Sequence, residues 1–240
     1  MLRILGKIAV LVLVVSALAA SPAKGATIVD FASVLVPGDQ GSSTYVHGSG
    51  LQATGLYFDT VSGLWKPANL YARNQSDDHG LGVCNPLEKP CPGPDGGGDV
   101  NELDNMGQDE LIRLLLPAGF KWVSVQISSL DNNSSSSSGL FERGELWKSF
   151  NADPGLGFDS VLWSFDPSGG GEPSFLIPAS ASTSPYLFFR PYDWLNEGTN
   201  KNNDFLVYQV VIDRVKTPEP VSLGLLALGL VALSAVRRRT

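Results

Sequence analysis

The stretch Lys121-Trp-Val-Ser-Val-Gln-Ile-Ser-Ser-Leu-Asp131 decides how the chain is read. Val123, Val125 and Ile127 alternate with Ser124, Gln126 and Ser128. A period of two over this length sends the apolar side chains to one face of a β-strand and the polar ones to the other. Similar short runs recur on either side: Thr27–Val36, Gly50–Asp59, Leu111–Leu116, Val161–Asp166 and Tyr186–Arg190. Phe205–Arg214 is a nearly continuous run of β-branched and aromatic residues, the pattern of a strand buried on both faces. Phe141–Phe150 fits a short helix and a strand equally well. Between the runs lie Pro92–Asp99, Asp131–Gly139, Asp166–Pro173 and Asn196–Asp204, rich in Gly, Ser, Asn, Asp or Pro. Such clusters turn the chain between strands. Seven or more short strands at this spacing predict an all-β body, an antiparallel β-sandwich or jelly roll.

The 240 residues allow one or two domains, and the two ends differ in kind from the middle. Residues Ala26–Thr217 carry 11 basic and 23 acidic side chains, a formal charge of −12. A body that acidic repels phosphate backbones and anionic bilayers, so nucleic acid is not an expected partner. A tetrahedral zinc site would need all 2 Cys and 2 His, drawn from distant parts of the chain. No His-Glu-x-x-His, Gly-x-Ser-x-Gly or phosphate-loop pattern occurs, and the body reads as non-catalytic.

At the start, Arg3 and Lys7 precede an apolar run, Ile8–Ala20, and small residues follow through Gly25. Positive, apolar, then small is the order of a secretory signal peptide, here residues 1–25, implying the Sec export machinery as a partner. At the other end Val221–Val236 is an uncharged run of 16 residues, followed at once by Arg237, Arg238 and Arg239. As a helix rising about 1.5 Å per residue it reaches roughly 24 Å, short of a hydrocarbon core of about 30 Å. Arginines favour the cytoplasmic side, so this end is expected to form a single transmembrane helix that tethers the body outside the inner membrane. Pro218-Glu219-Pro220 stands just before the apolar run. Proline fixes its own φ and disfavours helix for the residue before it, which keeps the tripeptide extended.

Tripeptide, short apolar span and terminal arginine cluster, in that order, resemble the PEP-CTERM sorting tail of Gram-negative bacteria. The resemblance covers residues 218–240, about a tenth of the chain, with Thr217 where a Val often precedes the motif. It implies recognition by an exosortase, cleavage near Pro218–Pro220, transient residence in the inner membrane, and release to the cell surface or extracellular matrix. The runs His79-Gly-Leu-Gly-Val-Cys84, Glu102-Leu-Asp104-Asn105 and Asp109-Glu110-Leu-Ile-Arg-Leu114 are more loosely similar to bodies that carry such tails, and imply no activity.

Within the body, Cys84 and Cys91 enclose six residues and in an exported chain are expected to form a disulfide. The alternative is a Cys nucleophile with His79. Residues 77–110 hold nine acids against one base, Lys89. Read plainly, that is a solvated acidic loop. The alternative is a structural Ca²⁺ site at Asp99, Asn101, Glu102 and Asp104, following the glycines at 96–98, because hard cations take clustered oxygen ligands from Gly-rich loops. An Asp77-Asp78-His79 cluster could serve acid–base chemistry in a secreted hydrolase, though no spacing demands it. Five tryptophans raise a carbohydrate-binding reading, with exopolysaccharide or another glycan as partner. The parity of Trp122 with Ser124 and Gln126 suits an outward face, Tyr192 and Trp194 sit in a polar segment, and Trp163 alternates with Val161 and Phe165 as core; read plainly, each ring is a core or half-buried aromatic.

Overall fold

Two apolar faces meeting across one core explain the alternation along the chain. The computed structural model describes residues 25–75, 78–87, 102–104, 108–130, 143–166, 172–192 and 203–216. Ala26–Asp213 is one unit, and residues 1–25 and 214–240 are grouped apart from it. The signal segment and the C-terminal apolar run thus lie outside the described residues, among which no helix is long and apolar enough to cross a membrane.

The strands in chain order are β1 (Thr27–Asp30), β2 (Gly38–Asp39), β3 (Thr44–Val46), β4 (Gln52–Asp59), β5 (Leu64–Pro67), β6 (Asn69–Asn74) and β7 (His79–Cys84). They continue as β8 (Glu110–Leu115), β9 (Phe120–Ser128), β10 (Gly144–Ser149), β11 (Ser160–Phe165), β12 (Ser174–Leu176), β13 (Tyr186–Pro191) and β14 (Leu206–Arg214). The first sheet runs β12-β9-β14-β7-β6-β2, with β1 also on β14. The second runs β11-β10-β13-β8-β4-β3, with β5 also on β4. The pairings with a defined register are antiparallel, as a sandwich requires. From β5 to β6 the chain changes sheets through Ala68 alone, which is buried.

The shared core takes Leu70, Leu81, Val83, Val125, Ile127, Val207, Val210 and Ile212 from the first sheet. The second supplies Ala53, Ile112, Leu114, Leu146, Leu187 and Phe189. A smaller apolar cluster of Leu56, Leu111 and Phe188, flanked by Trp65, Trp147, Phe158 and Tyr186, forms separately on the other face of that second sheet.

The fold changes two local readings and settles a third. Thr27–Val36 is not one strand: Asp30 accepts from the backbone N–H groups of Ala32 (3.0 Å) and Ser33 (3.2 Å) and caps a helical turn, α1 (Phe31–Val34). A short acceptor at that position satisfies the first free N–H groups of a helix and so stops the strand. Phe141–Phe150 contributes the strand β10, whose Glu145, Leu146 and Trp147 oppose Arg190, Phe189 and Phe188 of β13. The last strand is buried on both faces only at its start, where Leu206 and Val207 are fully covered. From Gln209 onward it alternates, with Val210 and Ile212 inside.

Trp122 is core, as its plain reading has it, and Trp163 is more open than its alternation predicts. Trp122 is 1% exposed, because Ser182–Ser184 lies over it. Its backbone N–H donates to Ser182 O at 2.7 Å and its indole N–H to Ser184 O at 2.7 Å. Trp163 lies opposite Leu146 of the core, yet it is 40% exposed, because β11 ends its sheet. It packs at the margin of the core, its ring tilted 35° to that of Phe175 with centres 5.8 Å apart.

Where β10 passes the core, a glycine is required. A methyl group on Gly144 would meet the Phe165 ring and come within 2.7 Å of Phe205 Cε1. Gly144→Ala is therefore expected to destabilise the domain by about 2 kcal/mol through overpacking. For a domain of this size that lowers Tm by roughly 4–8 °C, which thermal unfolding followed by circular dichroism would measure.

Candidate functional site

The sequence nominates residues that the fold separates. Pro218, Glu219, Pro220, Arg237, Arg238, Arg239, Cys91, Asp99, Asn101 and Trp194 lie outside the described residues. Cys84 closes β7 and is 8% exposed, and no cysteine among the described residues is free. Glu102 and Asp104 are buried rather than solvated, at 4% and 0% exposure. Among the described residues no group of three or more His, Cys, Asp or Glu side chains is arranged to hold a metal ion.

Glu102 instead turns to Arg73 on β6. The Arg73 guanidinium, itself buried, pairs through Nη1 with Glu102 Oε1 and through Nη2 with Asp78 Oδ2 at 3.0 Å. Ser129 Oγ lies within hydrogen-bond distance of Asp78 Oδ1 (2.8 Å) and Glu102 Oε1 (3.0 Å), its one proton shared between the two carboxyl groups. Glu110 and Asp204 are buried in the same part of the fold. Glu110 N–H donates to Asp104 O at 3.1 Å, and Leu103 N–H to Phe205 O at 2.9 Å. One guanidinium does not offset this much buried acid. Burial, followed by the charge of Asp204, pushes the Glu102 carboxyl up to about 9 against the opposing pull of Arg73.

The neighbours Asp78 and His79 do not act as a pair. Asp78 faces Arg73, whereas His79 Nε2 lies 3.0 Å from Glu172 Oε1 and its ring meets Tyr208 edge-on at 4.2 Å. His79 and Tyr208 line an open cleft of about 380 Å³ with Asp30, Ser33, Asn74 and Gln75. Burial comes first among the causes that raise the Tyr208 hydroxyl, followed by the charges of Asp30 and Glu172.

A different surface concentrates aromatic and cationic groups: the face of the second sheet turned away from the core. Thr54, Arg113, Phe188 and Trp147 lie in one row across β4, β8, β13 and β10. Arg190 stacks over Trp147 (4.8 Å) and Phe158 (5.3 Å). It also donates to Glu145 Oε2 through Nε (2.9 Å) and Nη2 (2.7 Å), and the Trp147 indole N–H donates to the same oxygen at 2.7 Å. The turn after β10 folds over this row. Phe158 wedges between Trp147 and Phe188 at 5.3 and 5.0 Å. Asp153 caps a 3₁₀ turn, Pro154–Leu156, by accepting from Gly155 N–H at 2.8 Å.

Between that turn and β5 lies a groove of about 270 Å³ lined by Leu56, Trp65, Pro67, Arg113, Ala152, Asp153 and Pro154. Arg113 crosses its base, donating from Nη1 to Ala152 O (2.6 Å) and lying 5.8 Å from the centre of the Tyr186 ring. No carboxylate among the described residues pairs with it. Sequence reasoning overlooked this groove. The one signal for it was Arg113, a charge on the outward parity of an otherwise apolar run, Leu111–Leu116.

No protein-family model matches the chain, and no curated protein does. Among solved structures, the chain is similar to a cleaved adhesin domain of Lys-gingipain from Porphyromonas gingivalis. The match has 13% identity and a TM-score of 0.30, and covers 80% of this chain and 96% of that one.

The Glu102 carboxyl makes stability depend on pH in a definite direction. Its folded value lies above the ordinary 4.5, so between about 5 and 9 the folded state holds a proton that the unfolded state has released. Stability from this group is complete below that window and falls as pH rises through it. Glu102→Gln, which keeps an acceptor for Arg73 and cannot ionise, is expected to gain Tm relative to the parent as pH climbs from 5 to 9. Parallel melting curves across that range test it; a constant Tm difference overturns the assignment.

Proposed function

We propose that the chain is an exported surface or extracellular-matrix protein, cut by an exosortase near Pro218–Pro220, whose β-sandwich body has an interaction or structural role. The observation that carries this is the ordered C-terminal pattern: Pro218-Glu219-Pro220, sixteen uncharged residues, then Arg237, Arg238 and Arg239. Each part supplies what a membrane-embedded processing enzyme needs. The prolines keep the cleavage strip extended, the apolar run lodges in the bilayer, and the arginines hold the end on the cytoplasmic side. A disulfide between Cys84 and Cys91 suits the oxidising exterior that the signal segment implies.

Two features of the body support a non-catalytic role over a secreted hydrolase. Asp78 is committed to Arg73 and Ser129, and His79 to Glu172 and Tyr208, so the sequence neighbours do not form an acid–base couple. The aromatic and cationic groups are gathered instead on one sheet face, as in a binding surface. That placement favours glycan recognition as the body's role.

Glu219→Ala, and separately deletion of 237–239, should leave uncleaved precursor in the inner membrane of the native host. Intact mass and membrane fractionation, with and without the sorting enzyme, read the outcome. Normal shortening and release of both variants would overturn the sorting assignment.

A further inference from the structure

We propose that the groove between Trp65 and the turn Ala152–Pro154 binds one pyranose ring of a neutral polysaccharide. The Trp65 indole is the stacking platform, Arg113 the hydrogen-bond donor and Asp153 the acceptor. The proposal rests on reading the body as an interaction module and is independent of the sorting tail.

The groove's size and chemistry select the ligand. At about 270 Å³ it falls just below the roughly 300–1,000 Å³ of sites for drug-sized molecules, which suits a single sugar ring. A pyranose presents a C–H face that stacks on a π-surface and a rim of hydroxyl groups that both donate and accept. Trp65, Leu56, Pro67 and Pro154 provide apolar walls. The Arg113 guanidinium has five N–H donors, of which two are engaged, by Ala152 O and at 3.5 Å by Thr54 Oγ1. Asp153 uses Oδ1 for its own turn, and its exposed carboxylate can accept from a hydroxyl group.

Charge excludes the acidic alternatives. Arg113 and Asp153 cancel within the groove, and the body around them carries −12. A uronic-acid polymer would meet net repulsion on approach, whereas a neutral glycan meets none. An extended peptide is disfavoured for another reason. Strand addition needs backbone N–H donors along a sheet edge, and Pro67 and Pro154, on the two banks of the groove, have none.

The groove is also built in advance. Phe150 N–H donates to Asp159 Oδ2 (2.6 Å), Asn151 N–H to Ser149 Oγ (3.0 Å) and Asp153 N–H to Asn151 Oδ1 (3.1 Å). With Phe158 seated on Trp147 and Phe188, these bonds fix the turn before any ligand arrives. Weak ligands such as single sugars depend on that, since ordering a loop would consume much of the binding energy.

The test is a titration of the full-length protein, held in a zwitterionic detergent without a sugar headgroup. The neutral probes are cellohexaose, mannohexaose and galactohexaose, and an alginate hexamer is the anionic probe. Tryptophan fluorescence and calorimetry follow binding. Saturable binding of at least one neutral probe is expected, unchanged by EDTA, because no cation takes part. Trp65→Ala and Arg113→Ala should each weaken it at least tenfold, while Trp65→Phe keeps a ring and should bind within a few-fold of the parent. Trp163→Ala removes an exposed indole outside the groove and should bind normally. Should Trp65→Ala fail to fold, Trp65→Phe and Asp153→Asn carry the comparison, with Asp153→Asn expected to bind several-fold more weakly. Binding to alginate alone, binding to no neutral probe, or parent-like affinity in both Trp65→Ala and Arg113→Ala would overturn the proposal. Release of the mature protein from the native host is read separately, so failure here leaves the sorting assignment standing.

Discussion

The structure depends on one constraint: two antiparallel sheets must each bury an apolar face, and neither can do so alone. Val125 and Ile127 from one side and Ile112, Leu114 and Leu146 from the other occupy the same core. The chain meets this demand by changing sheets repeatedly, at one point through the single buried residue Ala68. Close approach of the layers then dictates individual residues. Gly144 lies against the rings of Phe165 and Phe205, and Gly55 stands so close to the Ala68 carbonyl that a side chain there would lie 2.8 Å from it. Such contacts pin the register, because a slip of one residue would turn every inward side chain outward.

Around that core the polar groups divide into two populations. Arg73, Glu102, Asp78 and Ser129 form a hydrogen-bonded cluster inside the first sheet's margin. A buried polar cluster of this kind adds little net stability but penalises arrangements that leave its members unpaired. Arg113, Arg190, Glu145 and the rings beside them instead lie over the outward face of the second sheet. There Arg190 and Phe158 pack on Trp147, and Phe158 on Phe188, while Arg113 reaches the groove beside Trp65. The first population makes one arrangement of the chain specific; the second lies over the sheet face that borders the candidate groove.

How much of this was legible beforehand varies with the range of the interaction. The strands at Gly50–Asp59, Leu111–Leu116 and Tyr186–Arg190 are all present, within a residue or two, as β4, β8 and β13. Thr27–Val36 holds one element more than its apolar pattern predicts, because the capping power of Asp30 competes with the apolar run that follows it. Trp163 is more open than its alternation predicts, and Trp122 is core although its parity suits an outward face, for a common reason. Parity states which way a side chain leaves a strand, but not whether a loop covers that face or whether the strand ends its sheet. The candidate groove was almost invisible, since Leu56, Trp65, Arg113 and Asp153 come from four separate segments.

What the sequence by itself determined, then, is the local alphabet: period-two strands, turn clusters, the acidic balance of the body and the ordered pattern of its C-terminal tail. These follow from backbone sterics, side-chain alternation and charge, which act between residues close along the chain. The tertiary structure alone decided that Glu102 would lie against Arg73, 29 residues away, and that Trp122 would be sealed beneath Ser182–Ser184. It also decided that Arg113, in an outward row with Thr54, Phe188 and Trp147, would line a groove with Leu56, Trp65 and Asp153. Each of these depends on which strands become neighbours. That choice is made by burying the two apolar faces together, a property of the whole chain rather than of any stretch within it.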